Sequence, residues 1–296
     1  MRLSDKDILK IIDFFNQLFN AFISLIRILI WSRPVRLPVL QRDECIILGN
    51  GPSLSQNLEN NLDLLMNRLL ICVNYFPKSP YFQQLKPQIL IVCDPQFWKS
   101  TYPPDVVDER NRLYCRLAET VDWNLYFFVP MRAKKHNNSF SVFKSNKHIK
   151  IVYYNATPIE GFTFFKNLGF RKKLGMPRPR NVLIPTIHLA ILLKIKKIVI
   201  LGAEHSWINE LYVDKNNNVL LRQKHFYKER VEAKPFLLFG KEARMPDLMK
   251  EFFYVFSAYF DLQRFSEYMG VEVINCAPVS YIDAFKKQDL KEALKS

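Results

Sequence analysis

The chain predicts an α/β fold with a doubly wound, mainly parallel sheet, and three observations predict it. Short apolar runs without polar alternation recur along the chain, as parallel strands covered on both faces require. Helix-length segments separate these runs. Polar residues stand just past their carboxyl ends (Asn50, Asn74, Asp94, Glu204 and Ser280), the edge at which such sheets bind ligands.

Residues 8–31 come first. They are largely apolar, yet Lys10, Asp13, Gln17, Asn20, Ser24 and Arg27 recur at three- and four-residue intervals. On a helix these form one narrow polar stripe opposite a broad face of Phe, Leu and Ile. A spanning helix wants roughly 18 or more uncharged residues, and Asp13 and Arg27 bracket a shorter stretch. No small-residue cleavage site follows. The expectation is an in-plane membrane helix, with Trp31, Arg33 and Arg36 placed to meet headgroups. The alternative is a helix packed on the catalytic domain or on a twin subunit, which makes the chain a homo-oligomer. Pro34 and Pro38 mark a linker. The domain division is therefore 1–38, membrane-associating helix and linker, and 39–296, the catalytic domain.

The first strand, 45–48, runs straight into Gly49-Asn50-Gly51-Pro52-Ser53. The two glycines let the backbone turn sharply and approach a ligand closely. Asn50 and Ser53 put short polar side chains at the mouth of the turn. It is neither a P-loop nor a G-x-G-x-x-G turn, and it reads either as a nucleotide site or as an ordinary strand-to-helix turn. Further strands are expected at 69–73, 89–93, 123–129, 149–154, 197–201 and 271–276, and helices at 186–194 and 247–269.

Lys and Arg outnumber Asp and Glu by 43 to 28, for a net charge of +15. That balance suits nucleic acid, an anionic membrane face or a phosphorylated substrate. With no Arg-rich tail and no zinc-finger spacing, nucleic acid is not expected. Five scattered cysteines without C-x-x-C pairs argue for reduced thiols in a cytosolic protein. His188 sits among apolar residues and reads as core, whereas His136 and His148 flank a polar loop at 134–147. His205 follows the Gly-Ala-Glu strand end and is a candidate for the site. Arg178-Pro179-Arg180-Asn181 could aim cations at a phosphate or sugar carboxylate, or be a solvated loop.

Residues 46–54, Ile-Ile-Leu-Gly-Asn-Gly-Pro-Ser-Leu, resemble the opening strand and turn of the bacterial sialyltransferases of glycosyltransferase family 42. The resemblance continues through Val73-Asn74, Asp94-Pro95, the helix from Pro185 to Leu193 and the strand ending Leu201-Gly202-Ala203-Glu204. The related Maf-type glycosyltransferases share the helix-strand-Gly-x-acid pattern, and Lys86-Pro87 with Asp94-Pro95 is closer to Maf. The match spans most of residues 44–285, with least support between 100 and 175. It implies a Rossmann-like domain of the GT-A-variant type, with a lid near 205–245. It further implies that Gly49, Asn50, Gly51, Ser53, Asn74, Asp94 and Ser280 hold the nucleotide, and Asn181, next to the Arg178 and Arg180 cations, is expected with them. From their own positions, in the segment 178–181 and past the strand 197–201, Arg178, Arg180, Glu204, His205 and Ser206 are expected to meet the substrate. Tyr212 would support the leaving phosphate, and His225 would be the catalytic base. Two positions depart from the sialyltransferases: Asp94 replaces an asparagine, and Ser206 a second tyrosine.

Glycosyl transfer passes through an oxocarbenium-like state as a phosphate departs, so it needs donors on the phosphate and a base for the acceptor hydroxyl. No Asp-x-Asp follows any of the strand-like runs. A CMP-sugar and no metal or other cofactor are therefore expected. The resulting reading is a transferase of an acidic, sialic-acid-like sugar to a cell-surface glycan or glycolipid, peripheral at the inner face of the membrane. The alternatives are a Maf-like protein glycosyltransferase, a UDP- or GDP-sugar transferase, and a non-catalytic nucleotide-binding subunit of a polysaccharide assembly complex.

Overall fold

A computed structural model of the chain describes residues 4–221, 234–235, 237–238 and 241–295. The elements of its first half are α1 (Asp5–Trp31), β1 (Glu44–Leu48), α2 (Ser53–Leu65), β2 (Leu70–Val73), α3 (Tyr81–Leu85), β3 (Ile89–Ile91), α4 (Pro104–Thr120), β4 (Leu125–Pro130) and β5 (Ile149–Tyr154). Then come α5 (Thr163–Arg171), α6 (Leu183–Leu192), β6 (Lys197–Leu201), β7 (Leu211–Val213), β8 (Val219–Leu221), β9 (Lys234–Pro235), β10 (Leu237–Leu238) and β11 (Lys241–Glu242). The chain closes with α7 (Met245–Met269), β12 (Glu272–Asn275), β13 (Lys286–Lys287) and α8 (Leu290–Ala293).

Eight of these strands form one sheet in the order β13-β12-β6-β1-β2-β3-β4-β5, and every pairing in it is parallel. From β1 the chain adds strands outward to β5, then crosses back and lays β6 on the other side of β1. The direction of winding therefore reverses between β1 and β6. The apolar runs explain the layering. Ile46 and Leu48 enter the core on one face with Leu58, Phe76, Tyr114 and Phe127. Cys45 and Ile47 enter the core on the other, with Ile187, Ile191, Tyr259 and Phe265. A strand buried on both sides has no polar position to alternate with, which is why 45–48 and 197–201 read as continuous apolar runs.

Some boundaries differ from those expected. β3 stops at Ile91, short of the expected Cys93. Residues 131–145 form a run of 3-10 helix where a polar loop is expected. α4 was not legible: its mean composition is polar, and its inner face is built from Arg110, Leu113, Tyr114 and Leu117. Arg110 is buried yet satisfied, donating to the Lys99 carbonyl at 2.9 Å and to the Asn111 side chain. The expected lid region holds two small antiparallel groupings, β7-β8-β9 and β10-β11. His188 is core, stacked on Phe265 and edge-on to Phe170. Burial lowers its pKa to about 3. All five cysteines are free.

The N-terminal helix turns the second half of its polar stripe inward, while Lys10, Asp13 and Asn20 stay exposed. Ser24 is buried and accepts from the Glu160 backbone N–H at 2.8 Å. Arg27 donates to Glu160 at 2.6 Å, and the linker continues the attachment through Ser32 to Thr157 at 3.0 Å and Arg33 N–H to Asn155 at 3.1 Å. A Cβ added to Gly161 would stand 2.8 Å from the Ala21 Cβ, so only glycine admits the helix this closely. The broad Phe, Leu and Ile face looks outward.

Candidate functional site

Two strand-end turns meet at the point where the winding reverses. The Gly49 N–H donates to the Leu201 carbonyl and the Gly51 N–H to the Gly202 carbonyl, both at 2.9 Å. Gly202 has φ +63°, and a Cβ there would meet the Gly49 carbonyl oxygen at 2.7 Å. The Leu-Gly pairs ending both runs are thus required by backbone packed on backbone. Above this junction, at the carboxyl ends of β1, β2, β3 and β6, opens a cavity of about 610 Å³. A crevice at this position is where doubly wound sheets bind ligands.

Nine residues expected from the sequence line that cavity. Asn50, Gly51, Asn74 and Asp94 come from the ends of the first three strands. Glu204, His205 and Ser206 follow β6, and Arg180 and Asn181 precede α6. Four buried polar atoms here lack any partner: Asn50 Oδ1, Asn74 Oδ1, Tyr75 Oη and Glu204 Oε2. Asn50 is oriented by its Nδ2, which donates to the Val73 carbonyl at 3.4 Å. Asn74 sits at φ +49°, a left-handed conformation that asparagine tolerates, with its backbone N–H on the Ile91 carbonyl. Burial raises the Asp94 carboxyl above its usual pKa. Burial, reinforced by Glu109, pushes the Tyr75 hydroxyl up to about 12.

The opposite wall is saturated. His205 Nε2 lies 2.6 Å from the Tyr259 hydroxyl and 3.3 Å from Asn181 Nδ2. Burial lowers its pKa to about 3, so the ring is neutral. Asn181 Oδ1 accepts from the Leu183 and Ile184 N–H groups at 2.9 and 3.2 Å, capping α6. Arg180 Nε is 2.9 Å from Glu251 Oε2, so its charge is spoken for. Glu204 lies between the walls. Its Oε1 accepts from the Ser53 N–H at 3.1 Å and from the Ser53 hydroxyl, so a carboxylate of the protein itself occupies the N-terminus of α2. Gly51 makes room for it, since a Cβ there would overlap Glu204 Oε2.

Five expected site residues lie elsewhere, each for a visible reason. Ser53 is engaged by Glu204, and Gly49 is packed beneath the turn against Gly202. Ser280 donates to the Ala203 carbonyl at 2.6 Å and accepts from Asn275 Nδ2 at 2.9 Å, tying the ends of β6 and β12 together. Arg178 pairs with Glu160 through Nε and Nη2 at 2.7–3.0 Å and stacks over Tyr254, away from the cavity. Tyr212 is exposed on β7 and does not line the cavity. His225 lies outside the described residues.

The cavity adds residues that sequence reasoning missed, Tyr75, Asp105, Glu109, Trp207 and Glu251 among them. Tyr75 directly follows Asn74 and was within reach of the strand-end signal. The carboxylates of α4 and α7 carry no local signal, because only helix packing brings them to the sheet edge. With them, six acidic residues line the cavity: Asp94, Asp105, Glu109, Glu204, Glu210 and Glu251. Among the described residues no group of three or more His, Cys, Asp or Glu is placed to hold a metal ion. The chain's Asp-x-Asp, Asp5-Lys6-Asp7, lies in the first turn of α1, far along the chain from these strand ends.

No family profile matches the chain, and no curated protein matches it in sequence. Among solved structures it is similar to that of MAf glycosyltransferase from Magnetospirillum magneticum AMB-1, with a TM-score of 0.46 and 10% identity. The likeness covers 87% of this chain and 35% of that one, so this chain spans about a third of that protein's length.

Proposed function

We propose that the chain is a glycosyltransferase that moves an acidic, sialic-acid-like sugar from a CMP-sugar to a glycan or glycolipid acceptor without a bound metal. The observation that carries this reading is the set of four unpartnered buried polar atoms on one cavity at the switch point of the sheet. A buried polar atom without a partner costs about 1–3 kcal/mol. Four on one surface are held for a ligand. Three of the four are pure acceptors, so they suit the hydroxyl and amino groups that a nucleoside and a sugar present. The residues around them are those through which the chain resembles family 42 and Maf transferases. In this scheme Asn50, Asn74 and Tyr75 orient the donor's hydroxyls, the phosphate leaves with the electrons of the glycosidic bond, and His225 takes the acceptor proton.

The acidic lining favours a second reading. Six carboxylates line one cavity; Glu251 pairs with Arg180 and Glu109 with Lys78, and a divalent cation bridging a UDP- or GDP-sugar would relieve the repulsion of a phosphate by the others. One assay separates the two. Full-length protein is incubated with CMP-, UDP- and GDP-sugars, with and without excess EDTA, and released nucleotide is measured. The proposal expects release from a CMP-sugar that is undiminished by chelator. Activity lost in EDTA and restored by Mn²⁺ selects the diphosphate donor. Nucleotide binding without any turnover would reject the enzyme and leave a binding subunit.

A further inference from the structure

We infer that the outward face of α1, continued by Phe162 and Phe164, is an in-plane contact surface for an anionic lipid bilayer. α1 is long and apolar enough to cross a membrane by length and composition alone. Its attachment to the body excludes that use. Ser24, Arg27 and Ser32 bond to the segment 157–174, and Ala21 is pressed against Gly161, so half of the helix is fixed along the protein's flank. What remains free is the apolar arc. Phe15, Phe19, Phe22 and Leu29 are 59–72% exposed. Exposure on this scale along six turns does not persist in water.

The arc is also too wide for a two-helix seam. A coiled-coil partner covers a narrow a/d stripe, whereas Phe14, Phe15, Leu18, Phe19, Phe22, Leu25 and Ile26 are all exposed. They surround most of the helix outside the docked stripe. The patch then leaves the helix. Phe14 packs on Phe162 with ring centroids 5.5 Å apart, Phe162 stacks on Phe164 at 5.9 Å, and Phe164 is 73% exposed at the start of α5. Charge completes the match. Arg33 and Arg36 are exposed just past the end of α1, Arg132 stacks on Trp31 at 4.6 Å, and Arg171 and Lys172 are exposed at the far end of α5. The acidic residues of α1 are confined to its first turns, as Asp5, Asp7 and Asp13, and Asp13 is held by Gln17. Apolar side chains bordered by cations are the chemistry of an anionic interface.

Contacts also link this face to the cavity. Arg27 and Arg178 share Glu160, Arg178 and Arg180 both stack on Tyr254, and Arg180 pairs with Glu251 on the cavity wall. Lipid contact along α1 would therefore hold the cavity a few side chains from the bilayer surface. The inference rests on α1 and α5 alone and stands whatever chemistry the cavity performs.

Flotation of the full-length protein with phosphatidylcholine vesicles, with and without phosphatidylglycerol, tests it. The wild type should float with the anionic vesicles, less with the neutral ones, and less again as salt is raised. Phe15→Glu with Phe22→Glu should weaken binding about tenfold or more per side chain. Phe164→Asp, outside α1, should also weaken it, so the test survives if the α1 variant misfolds. Light scattering without lipid reads the competing occupant. A stable wild-type dimer that the double variant splits, with vesicle binding unchanged, would make the face a protein interface and overturn the inference. Protection of the N-terminus from protease added outside the vesicles would show a spanning helix and overturn it equally.

Discussion

The two walls of the cavity are built from the same kinds of residue and treat them in opposite ways. On the β1–β2 side, Asn50, Asn74 and Tyr75 each leave a buried polar atom without a partner. On the α6–α7 side, Asn181 and His205 bond to each other and to the buried Tyr259 behind them, and Asn181 also caps a helix. Under the proposed function, the difference separates a wall open to a ligand from a wall that holds the fold. An asparagine in a cavity is not by that fact a binding residue; what its atoms already touch decides.

The comparison breaks most readily at Tyr259. Tyr259→Phe removes the hydroxyl that His205 and Asn181 share and leaves buried polar atoms unpaired, which should lower stability by about 1–3 kcal/mol. Denaturant midpoints should fall while nucleotide affinity, read by calorimetry, stays close to wild type. An unchanged midpoint with lost affinity would make both walls ligand walls.

An effect of comparable size follows from pH. Burial holds His188 and His205 at pKa values of about 3, whereas an unfolded histidine titrates near ~6.5. Between those values the unfolded chain binds more protons, so stability is full above the unfolded pKa and falls as pH drops through the window. Each histidine contributes a slope approaching ~1.4 kcal/mol per pH unit. Guanidinium melts at pH 7, 6 and 5 should show the loss, and His188→Leu should remove about half of it. A variant as pH-sensitive as the wild type would place the titration elsewhere.

The smallest effects belong to the open wall and carry the opposite sign. Asn50→Ala and Asn74→Gly, the latter chosen to suit φ +49°, each delete an oxygen that has no partner in the fold, and Asn50→Ala loses besides only the long bond from Nδ2 to the Val73 carbonyl at 3.4 Å. Stability should hold or rise. Affinity for the cognate nucleotide should fall about two- to tenfold, the worth of one neutral hydrogen bond of about 0.5–1.5 kcal/mol. Destabilisation with unchanged binding would mean that these side chains serve the turn.

How much of this was legible depends on the range of the interaction. The sheet was legible because a strand buried on both faces must be apolar throughout, and that leaves a mark in five consecutive residues. The turn at Gly49–Ser53 and the strand-end residues Asn50, Asn74, Asp94 and Glu204 were legible for the same reason: a parallel strand delivers whatever follows it to one edge. Ser53, Ser280 and Arg178 carry the same local signature and yet are bound to Glu204, Ala203 and Glu160, partners that lie 151, 77 and 18 residues away in sequence. No window of sequence holds both ends of such a bond.

α1 divides the same way. Its polar stripe and broad apolar face were set by residue spacing alone, since the helical period fixes which side chains share a side. Which side would meet the protein was not fixed. A polar stripe ordinarily faces water, and here its second half faces Glu160 and the 157–174 segment, because Ser24 and Arg27 find partners there and Gly161 lets the backbones close. Sequence by itself determined periodicity, burial of the strands and the position of their polar ends. Tertiary structure alone decided which polar atoms were satisfied and which face was left open, because satisfaction is a property of pairs that only the folded chain brings together.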